Sequence, residues 1–462
     1  MPSRTRVSSP PTAMSPERFR SSPYSPARHV LIICYDYPCT AAAGVIRIYQ
    51  FAKGLRDFGW QPVILTAQPS SIDPEDNIEA SDGNLHCPKI TVAASRMPAS
   101  FRNGHHAARK PLERAAPKSK GYLKRLVRFA TQLAVPDGKI GWLLPAVKRG
   151  LKIASDYPIR LCFSVSPRPT AHLAAYRLAR RLHIPWVADF ALPWSDAYWL
   201  ADRPPLIGWL DHHLEALVVR SAQHVTVAYT DLARSMCARY GRAYEARISV
   251  IATGFAEELF QQETPPPTAT FRIVYPGNHF CEEGRYGEYF LKAVDAWIDS
   301  DPGLTTKVEF VFMGKWDEAL WQHRAAMAHP QVVRIEPLRS HRTCIQTLMS
   351  AHLCILNTVG NRIPAKVYEC MRSSTWILAL TAPDSDLAAL MRHYSRGISI
   401  PPHDTSAIRQ TLHHIWQCSH PQSLKAIEAG PSLSAYSAKY RAEMMAHLFD
   451  ALTLTRSAEL SC

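Results

Sequence analysis

Short apolar runs alternate with amphipathic stretches along most of the chain. The run 29–34 (HVLIIC) is followed by a loop at 35–43, and apolar positions then recur at helical spacing from Val45 to Leu55. The run 62–67 (PVILTA) reads as the next strand. A strand–loop–helix–strand unit of this kind is typical of the doubly wound α/β class, whose sheets are parallel.

The same alternation continues on both sides of a Pro-containing stretch at 261–270, which we interpret as a linker. Before the linker the pattern predicts strands at 160–166, 184–190 and 224–229 and helices at 170–182 and 205–221. After the linker it predicts strands at 271–277, 308–314, 332–337, 353–358 and 376–380, with helices at 286–299, 316–327, 341–350 and 365–373. The last helical stretch, 435–452, is long enough to cross back onto the first domain.

These elements predict two tandem Rossmann-like domains that face each other across a cleft. We expect a disordered Ser/Pro/Arg-rich leader at 1–27, a first domain at 28–262 with a basic insertion at about 69–150, and a second domain at 271–430. The C-terminal crossover helix and tail would then occupy 431–462. Ligands of such sheets bind at the carboxyl ends of the strands, but the fold alone does not choose among a transferase, an epimerase and a binding protein.

Composition places the chain among globular proteins. Its 462 residues are 47% hydrophobic and 20% charged, and no apolar run reaches the roughly 18 residues that a membrane span needs. The eleven cysteines show no C-x-x-C pair and no metal-ligand spacing with histidine. We therefore expect a reducing cytoplasm, no disulfide framework and no metal site.

The formal net charge of +14 is concentrated in one region. Residues 101–128 hold nine Lys and Arg against the single acid Glu113, and the stretch continues into a segment with Trp142 and further cations. Basic residues beside amphipathic, Trp-bearing segments indicate contact with an anionic membrane surface, against the alternative of a solvated basic loop. No nucleic-acid recognition motif accompanies the charge, so we expect no nucleic-acid partner.

The segment 362–371 (RIPAKVYECM) carries candidate binding chemistry. It lies between two apolar runs, and Pro364 stands at the start of the predicted helix. A carboxylate on the first turns, at Glu369, could accept two hydrogen bonds from a vicinal diol, while Lys366 and the helix start favour a phosphate. The simpler alternative is an ion pair between Lys366 and Glu369 on a solvated helix face.

Five motifs in four segments together resemble glycosyltransferase family 4, retaining enzymes of the GT-B fold. The segments are 30–66, 164–190 (SVSPRPTAHLAAYRLARRLHIPWVADF), 275–285 (YPGNHFCEEGR) and 360–391, which contains a helix, a strand and the helix that follows. The resemblance extends over roughly 29–415. It implies transfer of a sugar from a nucleotide sugar to an acceptor, with net retention, in cytoplasmic polysaccharide biosynthesis at or near the membrane.

The resemblance also implies roles for particular residues. In the donor site, Glu369 would hold the ribose and Arg285 the diphosphate, joined by Lys366 and by Asn361 near the donor sugar. On the acceptor side, His172 and Asp189 are the catalytic candidates, and Gly44 and Arg47 form the loop and first helix turn that face the acceptor or its phosphate. No cofactor or metal is implied; the partners are the nucleotide-sugar donor and a sugar or lipid-linked acceptor.

Departures from the family pattern keep other functions open. Asn361 stands where many members carry a glutamate, and Ala191 and Leu192 replace the usual Arg and Asp. Only Gly44 remains of a glycine-rich first loop. The alternatives are a catalytically degenerate binding protein and a nucleotide-sugar 2-epimerase, which would need clustered acid and base groups. His172 could equally be a core histidine, and Asp189 a turn cap.

Overall fold

A computed structural model describes residues 28–37, 43–68, 87–93, 134–197, 200, 203–261, 270–282, 285–314, 317–337, 340–418 and 433–459. The predicted leader at 1–27, the basic stretch 101–128 and most of the predicted linker lie outside these residues.

In the described part of the chain, thirteen strands form two parallel sheets. The strands are β1 (Arg28–Ile33), β2 (Trp60–Ala67), β3 (Lys89–Val92), β4 (Ile159–Val165), β5 (Trp186–Phe190), β6 (His224–Val227), β7 (Ile248–Val250), β8 (Phe271–Pro276), β9 (Val308–Met313), β10 (Val333–Glu336), β11 (Leu353–Asn357), β12 (Trp376–Leu380) and β13 (Gly397–Ile400). The first sheet has the order β3-β2-β1-β4-β5-β6-β7 and the second the order β10-β9-β8-β11-β12-β13.

Helices cover both faces of each sheet. They are α1 (Ala43–Gly54), α2 (Leu143–Asp156), α3 (Pro169–Leu182), α4 (Pro205–Ser221), α5 (Thr230–Tyr240), α6 (Gly287–Ser300), α7 (Glu318–Ala325), α8 (His341–Met349), α9 (Lys366–Arg372), α10 (Asp386–His393), α11 (Thr405–Cys418) and α12 (Ala438–Glu459). Because both faces are covered, central strands read as continuous apolar runs; Val30 to Ile33 are all fully buried. Each sheet therefore lies within its own core.

The C-terminal helix α12 crosses back to the first domain, as predicted. Ala442, Met445 and Phe449 are buried in the same apolar cluster as residues of α1, β1 and β4. Gly54 at the end of α1 lies so close to α12 that an added Cβ would approach the Cβ of Ala442 to 2.5 Å. The fold prediction, two Rossmann-like domains facing across a cleft with a returning helix, is confirmed.

The interfacial role predicted for Trp142 is wrong. Its side chain is fully buried in the first domain, where its ring packs edge-on against Tyr35 at 5.5 Å between ring centroids. The apolar and basic positions around Trp142 belong to α2, which buries Ala146, Val147 and Ile153 in the core and exposes Lys148, Arg149 and Lys152. An amphipathic helix that packs on a sheet produces the same sequence pattern as one that lies on a membrane.

Candidate functional site

The order of strands in the second sheet reverses between β8 and β11, which are neighbours although they are not consecutive in the chain. In sheets of this kind the loops at such a point separate and leave a crevice for ligands. Arg285 follows β8, and Lys366 and Glu369 follow β11. The predicted donor residues therefore lie on the two loops that border the crevice.

Polar contacts fix the loop between β8 and Arg285. The Asp317 carboxylate Oδ2 accepts hydrogen bonds from the backbone N–H of Phe280 at 2.6 Å and of Cys281 at 2.9 Å. Asn357, at the end of β11, donates from Nδ2 to the carbonyl oxygen of Phe280 at 2.9 Å. Asn357 thus holds the loop after β8 at Phe280, and Asp317 holds it at Phe280 and Cys281.

Gly314, after β9, requires the absence of a side chain. A Cβ at this position would lie 2.0 Å from the carbonyl oxygen of Gly277. Any larger residue would push the loop after β8 away from β9.

Glu369 is buried at the edge of the crevice, and its partner is a histidine. The Oε1 atom lies 2.7 Å from Nε2 of His341, the first residue of α8. Side-chain exposure is 6% for Glu369 and 10% for His341. Among the described residues no hydrogen bond reaches the second carboxylate oxygen, Oε2, and Lys366 forms no ion pair with Glu369. The simple helix-face pairing of Lys366 with Glu369 is therefore absent.

Asn361 lies where the two domains meet. Its Nδ2 is 3.4 Å from Oδ1 of Asp231, at the start of α5 in the first domain. The backbone N–H of Asp231 donates to Asp386 of α10 at 2.6 Å, and Arg234 pairs with the same carboxylate. These contacts join the carboxyl ends of the two sheets directly, so Asn361 occupies a bridging position.

Gly44 stands at the corresponding reversal point of the first sheet, between β1 and β4. A Cβ here would lie 2.8 Å from Cδ of Pro167 in the loop after β4. Arg168 of that loop pairs with Asp36 of the loop after β1 at 2.8 Å. The glycine therefore lets α1 begin close against the loop after β4.

Arg47 and Asp189 form a buried ion pair with each other. Arg47 donates from Nε to Oδ2 at 2.8 Å and from Nη2 to Oδ1 at 2.6 Å, and the two side chains are 1% and 0% exposed. The Thr226 hydroxyl donates to Oδ1 at 2.6 Å. Both oxygens of Asp189 are engaged, so this carboxylate holds Arg47 inside the first domain.

His172 is fully buried in the core of the first domain. Its Nδ1 is 2.8 Å from the Ser164 hydroxyl, and its ring stacks on Phe190 with centroids 4.6 Å apart. Burial lowers the pKa of His172 to about 3, so the ring is neutral at physiological pH. Its Nε2 atom has no hydrogen-bond partner among the described residues.

The strand order thus places Arg285 on the loop after β8, and Asn361, Lys366 and Glu369 on the loop and helix after β11. Arg47 is joined to Asp189, and His172 lies in the core of the first domain. Sequence reasoning did not find His341, because it precedes Glu369 by 28 positions and belongs to a different helix. Its one local signal is the capping serine before it, Ser340, whose hydroxyl accepts from the backbone N–H of Thr343 at 3.2 Å. That signal predicts a helix start but not a partner for Glu369.

No group of three or more His, Cys, Asp or Glu side chains among the described residues is arranged to hold a metal ion. Among the described helices, none is both long and apolar enough to span a membrane.

No protein-family model and no curated protein sequence matches the chain. Solved structures match it in fold. The alpha,alpha-trehalose 6-phosphate synthase of Burkholderia multivorans is 12% identical with a TM-score of 0.56, covering 94% of this chain and 98% of that one. The sucrose-phosphate synthase of Thermosynechococcus elongatus is 14% identical with a TM-score of 0.54, covering 94% and 98%.

A third structure, the UDP-GlcNAc 2-epimerase of Methanocaldococcus jannaschii, is 9% identical with a TM-score of 0.53 and covers 92% of this chain and 99% of that one. At sequence identities of 9–14%, these structural similarities establish the fold alone. The chain is an α/β protein of the GT-B fold, an architecture that these synthases and this epimerase share.

Proposed function

We propose that the chain is a glycosyltransferase that moves a sugar from a nucleotide-sugar donor to an acceptor with net retention. The loops after β8 and β11 bind the donor, and the facing wall of the first domain, which includes Gly44, receives the acceptor. Arg47, expected to face the acceptor, is 1% exposed and bound to Asp189, so it has no such role in the proposal. The similarity in fold to two glycosyl-transferring synthases supports the class of reaction. The resemblance of segments 275–285 and 360–391 to glycosyltransferase family 4 supports transfer with retention.

One observation carries the proposal: a buried carboxylate follows β11 with one oxygen held by a histidine and the other without a partner among the described residues. His341 fixes Oε1 of Glu369, which leaves Oε2 to accept a hydrogen bond from the ribose of a nucleotide. Hydrogen bonds to charged groups contribute roughly 1.5–3 kcal/mol each. An ordinary ion pair on a solvated surface would not need this arrangement.

The charge of the leaving diphosphate is neutralised by Arg285 and Lys366 in this proposal. Asp317 and Asn357 hold the loop that precedes Arg285 at Phe280. A fixed loop supports the diphosphate contact, because preorganised donors stabilise developing charge with less rearrangement. Arginine suits phosphate because its planar N–H groups form paired contacts. No protein side chain acts as a covalent nucleophile; the departing diphosphate takes the proton of the acceptor hydroxyl.

The acceptor is proposed to be a sugar, free or attached to a lipid carrier, in the cytoplasmic assembly of a polysaccharide. A lipid-linked acceptor would require the enzyme to reach a membrane surface. The basic stretch 101–128 supports such a contact through its excess of cations. Trp142, being buried, contributes nothing to it.

Epimerisation of a nucleotide sugar is the second candidate. The similarity in fold to a UDP-GlcNAc 2-epimerase favours it, as does the presence of a histidine–carboxylate pair, His341 and Glu369, at the crevice. A binding protein without catalytic activity is the third candidate function, because Ala191 and Leu192 depart from the family pattern.

A thermal-shift screen with UDP-, GDP- and ADP-sugars, followed by product analysis, separates the three functions. A glycosyltransferase is stabilised by one nucleotide class and consumes its sugar only when an acceptor is supplied. An epimerase converts the donor sugar without any acceptor. Absence of stabilisation by every nucleotide would leave only the binding protein.

A further inference from the structure

Two cysteine side chains meet in the core of the second domain. Cys354 lies on β11 and Cys370 on α9, and each is 0% exposed. Their sulfur atoms are 2.7 Å apart. The two thiols therefore stand at the two ends of the segment that carries Asn361, Lys366 and Glu369.

The packing of α9 on the second sheet brings the two thiols together. Successive side chains of a strand point to opposite faces of the sheet. Ile355 accordingly lies in the apolar cluster on one face, whereas Cys354 lies in the cluster on the other, together with residues of α9. On α9, Val367, Cys370 and Met371 are buried and share one face of the helix, because they are three and four residues apart. The pair is thus placed by two regular elements.

The separation of the two sulfur atoms is close to that of a covalent bond. The sulfurs of a disulfide are about 2.05 Å apart, so those of Cys354 and Cys370 need to approach by only about 0.7 Å. A hydrogen bond between two thiols is weak and contributes little to the stability of the pair. Among the residues that the structure describes, no group of three or more side chains would make the pair part of a metal site.

The resting form of the pair is the dithiol. Burial, and then the hydrogen bond with Cys354, raise the pKa of the Cys370 thiol well above its usual value. The thiolate, which is the reactive form of cysteine, is therefore scarce at neutral pH. Because both thiols are fully buried, an oxidant that converts them has to be small.

We propose that Cys354 and Cys370 are an oxidation site at which hydrogen peroxide forms a reversible disulfide. Peroxide first converts one thiol to a sulfenic acid and releases one water. The sulfur of the other thiol then attacks the sulfenic sulfur, the S–S bond forms, and a second water leaves. In total the two thiols give up two electrons and two protons, which reduce one peroxide to two waters.

The disulfide would brace the loop after β11. It links two residues that are 16 positions apart, and a cross-link of this kind stabilises the fold mainly by restricting the unfolded chain. The oxidised protein should therefore unfold at a temperature at least about 2 °C above that of the reduced protein. No nucleotide or sugar takes part in the bond, so the proposal does not depend on the proposed transferase activity.

The experiment uses the full chain, which is reduced with dithiothreitol, desalted and exposed to hydrogen peroxide in its folded state. Free thiols are then alkylated in denaturant, and the digested protein is mapped by mass spectrometry. We expect a pair of peptides joined through Cys354 and Cys370, two hydrogens lighter than the separate peptides. Renewed reduction should remove the cross-link, and the unfolding temperature should rise and fall with it.

Two variants test the assignment to this pair. C370A removes one partner and should abolish both the cross-link and the rise in unfolding temperature. C344A removes another buried cysteine of the same apolar cluster and should retain both. The mapping is made on the wild type, so the result stands even if a variant fails to fold.

The proposal is overturned if Cys354 and Cys370 remain open to alkylation after peroxide treatment that oxidises other cysteines of the chain. It is also overturned if the two residues form disulfides with other cysteines instead of with each other. An unchanged unfolding temperature in wild-type protein that carries the bond would overturn the bracing of the loop after β11.

Discussion

The Nε2 atom of His341 lies 2.7 Å from Oε1 of Glu369, between two helices that begin at the same edge of the second sheet. The histidine occupies one oxygen of the carboxylate and thereby orients the other. Glu369 is therefore held in one position before any ligand arrives. Such preorganisation lowers the entropic cost of binding.

This contact predicts that His341 positions Glu369. His341→Leu should weaken nucleotide affinity several-fold, because the buried carboxylate loses its donor and its fixed orientation. His341→Gln keeps a donor and should recover part of the affinity. Calorimetry with the preferred nucleotide measures both. If the Leu and Gln variants bind equally, His341 contributes packing alone.

Arg285 is predicted to stabilise the charge that develops on the leaving diphosphate. Arg285→Ala should lower kcat more than it raises the KM for the donor, because the interaction strengthens toward the transition state. Arg392→Ala, on the exposed side of α10, is the matched control and should change neither. A change in KM alone would assign Arg285 to ground-state binding.

The buried His172 predicts a dependence of stability on pH. Its pKa of about 3 in the folded state lies below the value of about 6.5 expected when unfolded, so the unfolded chain binds more protons between these values. The contribution of His172 to the free energy of unfolding should be complete above pH 6.5. It should decrease below that pH by up to about 1.4 kcal/mol per pH unit.

His172→Gln should make that fall shallower, as measured by urea unfolding from pH 4.5 to pH 7.5. His224, whose pKa is lowered to about 4 chiefly by burial, contributes a second part of the slope. An unchanged slope in the His172 variant would show that the ring is accessible to protons in the folded protein.

The basic stretch 101–128 is predicted to bind anionic membranes. Each Lys or Arg near such a surface contributes about 1 kcal/mol, and the attraction decays over roughly 8–10 Å. Vesicles that contain anionic lipid should sediment the protein, neutral vesicles should not, and salt at about 0.5 M should release it.

Replacing Lys118, Lys120, Lys124, Arg125 and Arg128 with Gln should abolish vesicle binding without unfolding the protein. Exposed Lys148, Arg149 and Lys152 of α2, replaced together, provide a control that removes three positive charges outside the basic stretch. Equal sedimentation with neutral and anionic vesicles, or none with either, would favour a solvated loop and a soluble acceptor.

Continuous apolar runs were sufficient to predict the central strands. The strand predicted at 376–380 is confirmed, and the helix predicted at 205–221 has the same bounds in the structure. The short edge strands β3, β7 and β13 were missed, because they are mostly only partly buried and carry no long apolar run.

The candidate site was predictable only in part. The positions of Arg285 and Glu369 after neighbouring strands follow from the order of elements and the family resemblance. The partners of Glu369 and Asp189 could not be predicted in this way. His341 lies 28 positions from Glu369, and Arg47 lies 142 positions from Asp189. Packing decides which helices bring such side chains together, and the periodicity of one segment does not contain that information.

Calorimetric titration of the wild type and of Glu369→Gln with the nucleotide that gives the largest thermal shift tests the central claim most directly. Glu245→Gln, an exposed glutamate of the first domain, is the matched control. We predict that the Glu369 variant stays folded and binds the nucleotide at least about tenfold more weakly, because one charged acceptor is lost from the ribose site. Unchanged affinity in that variant would contradict the assignment of the crevice between β8 and β11 as the nucleotide-sugar site.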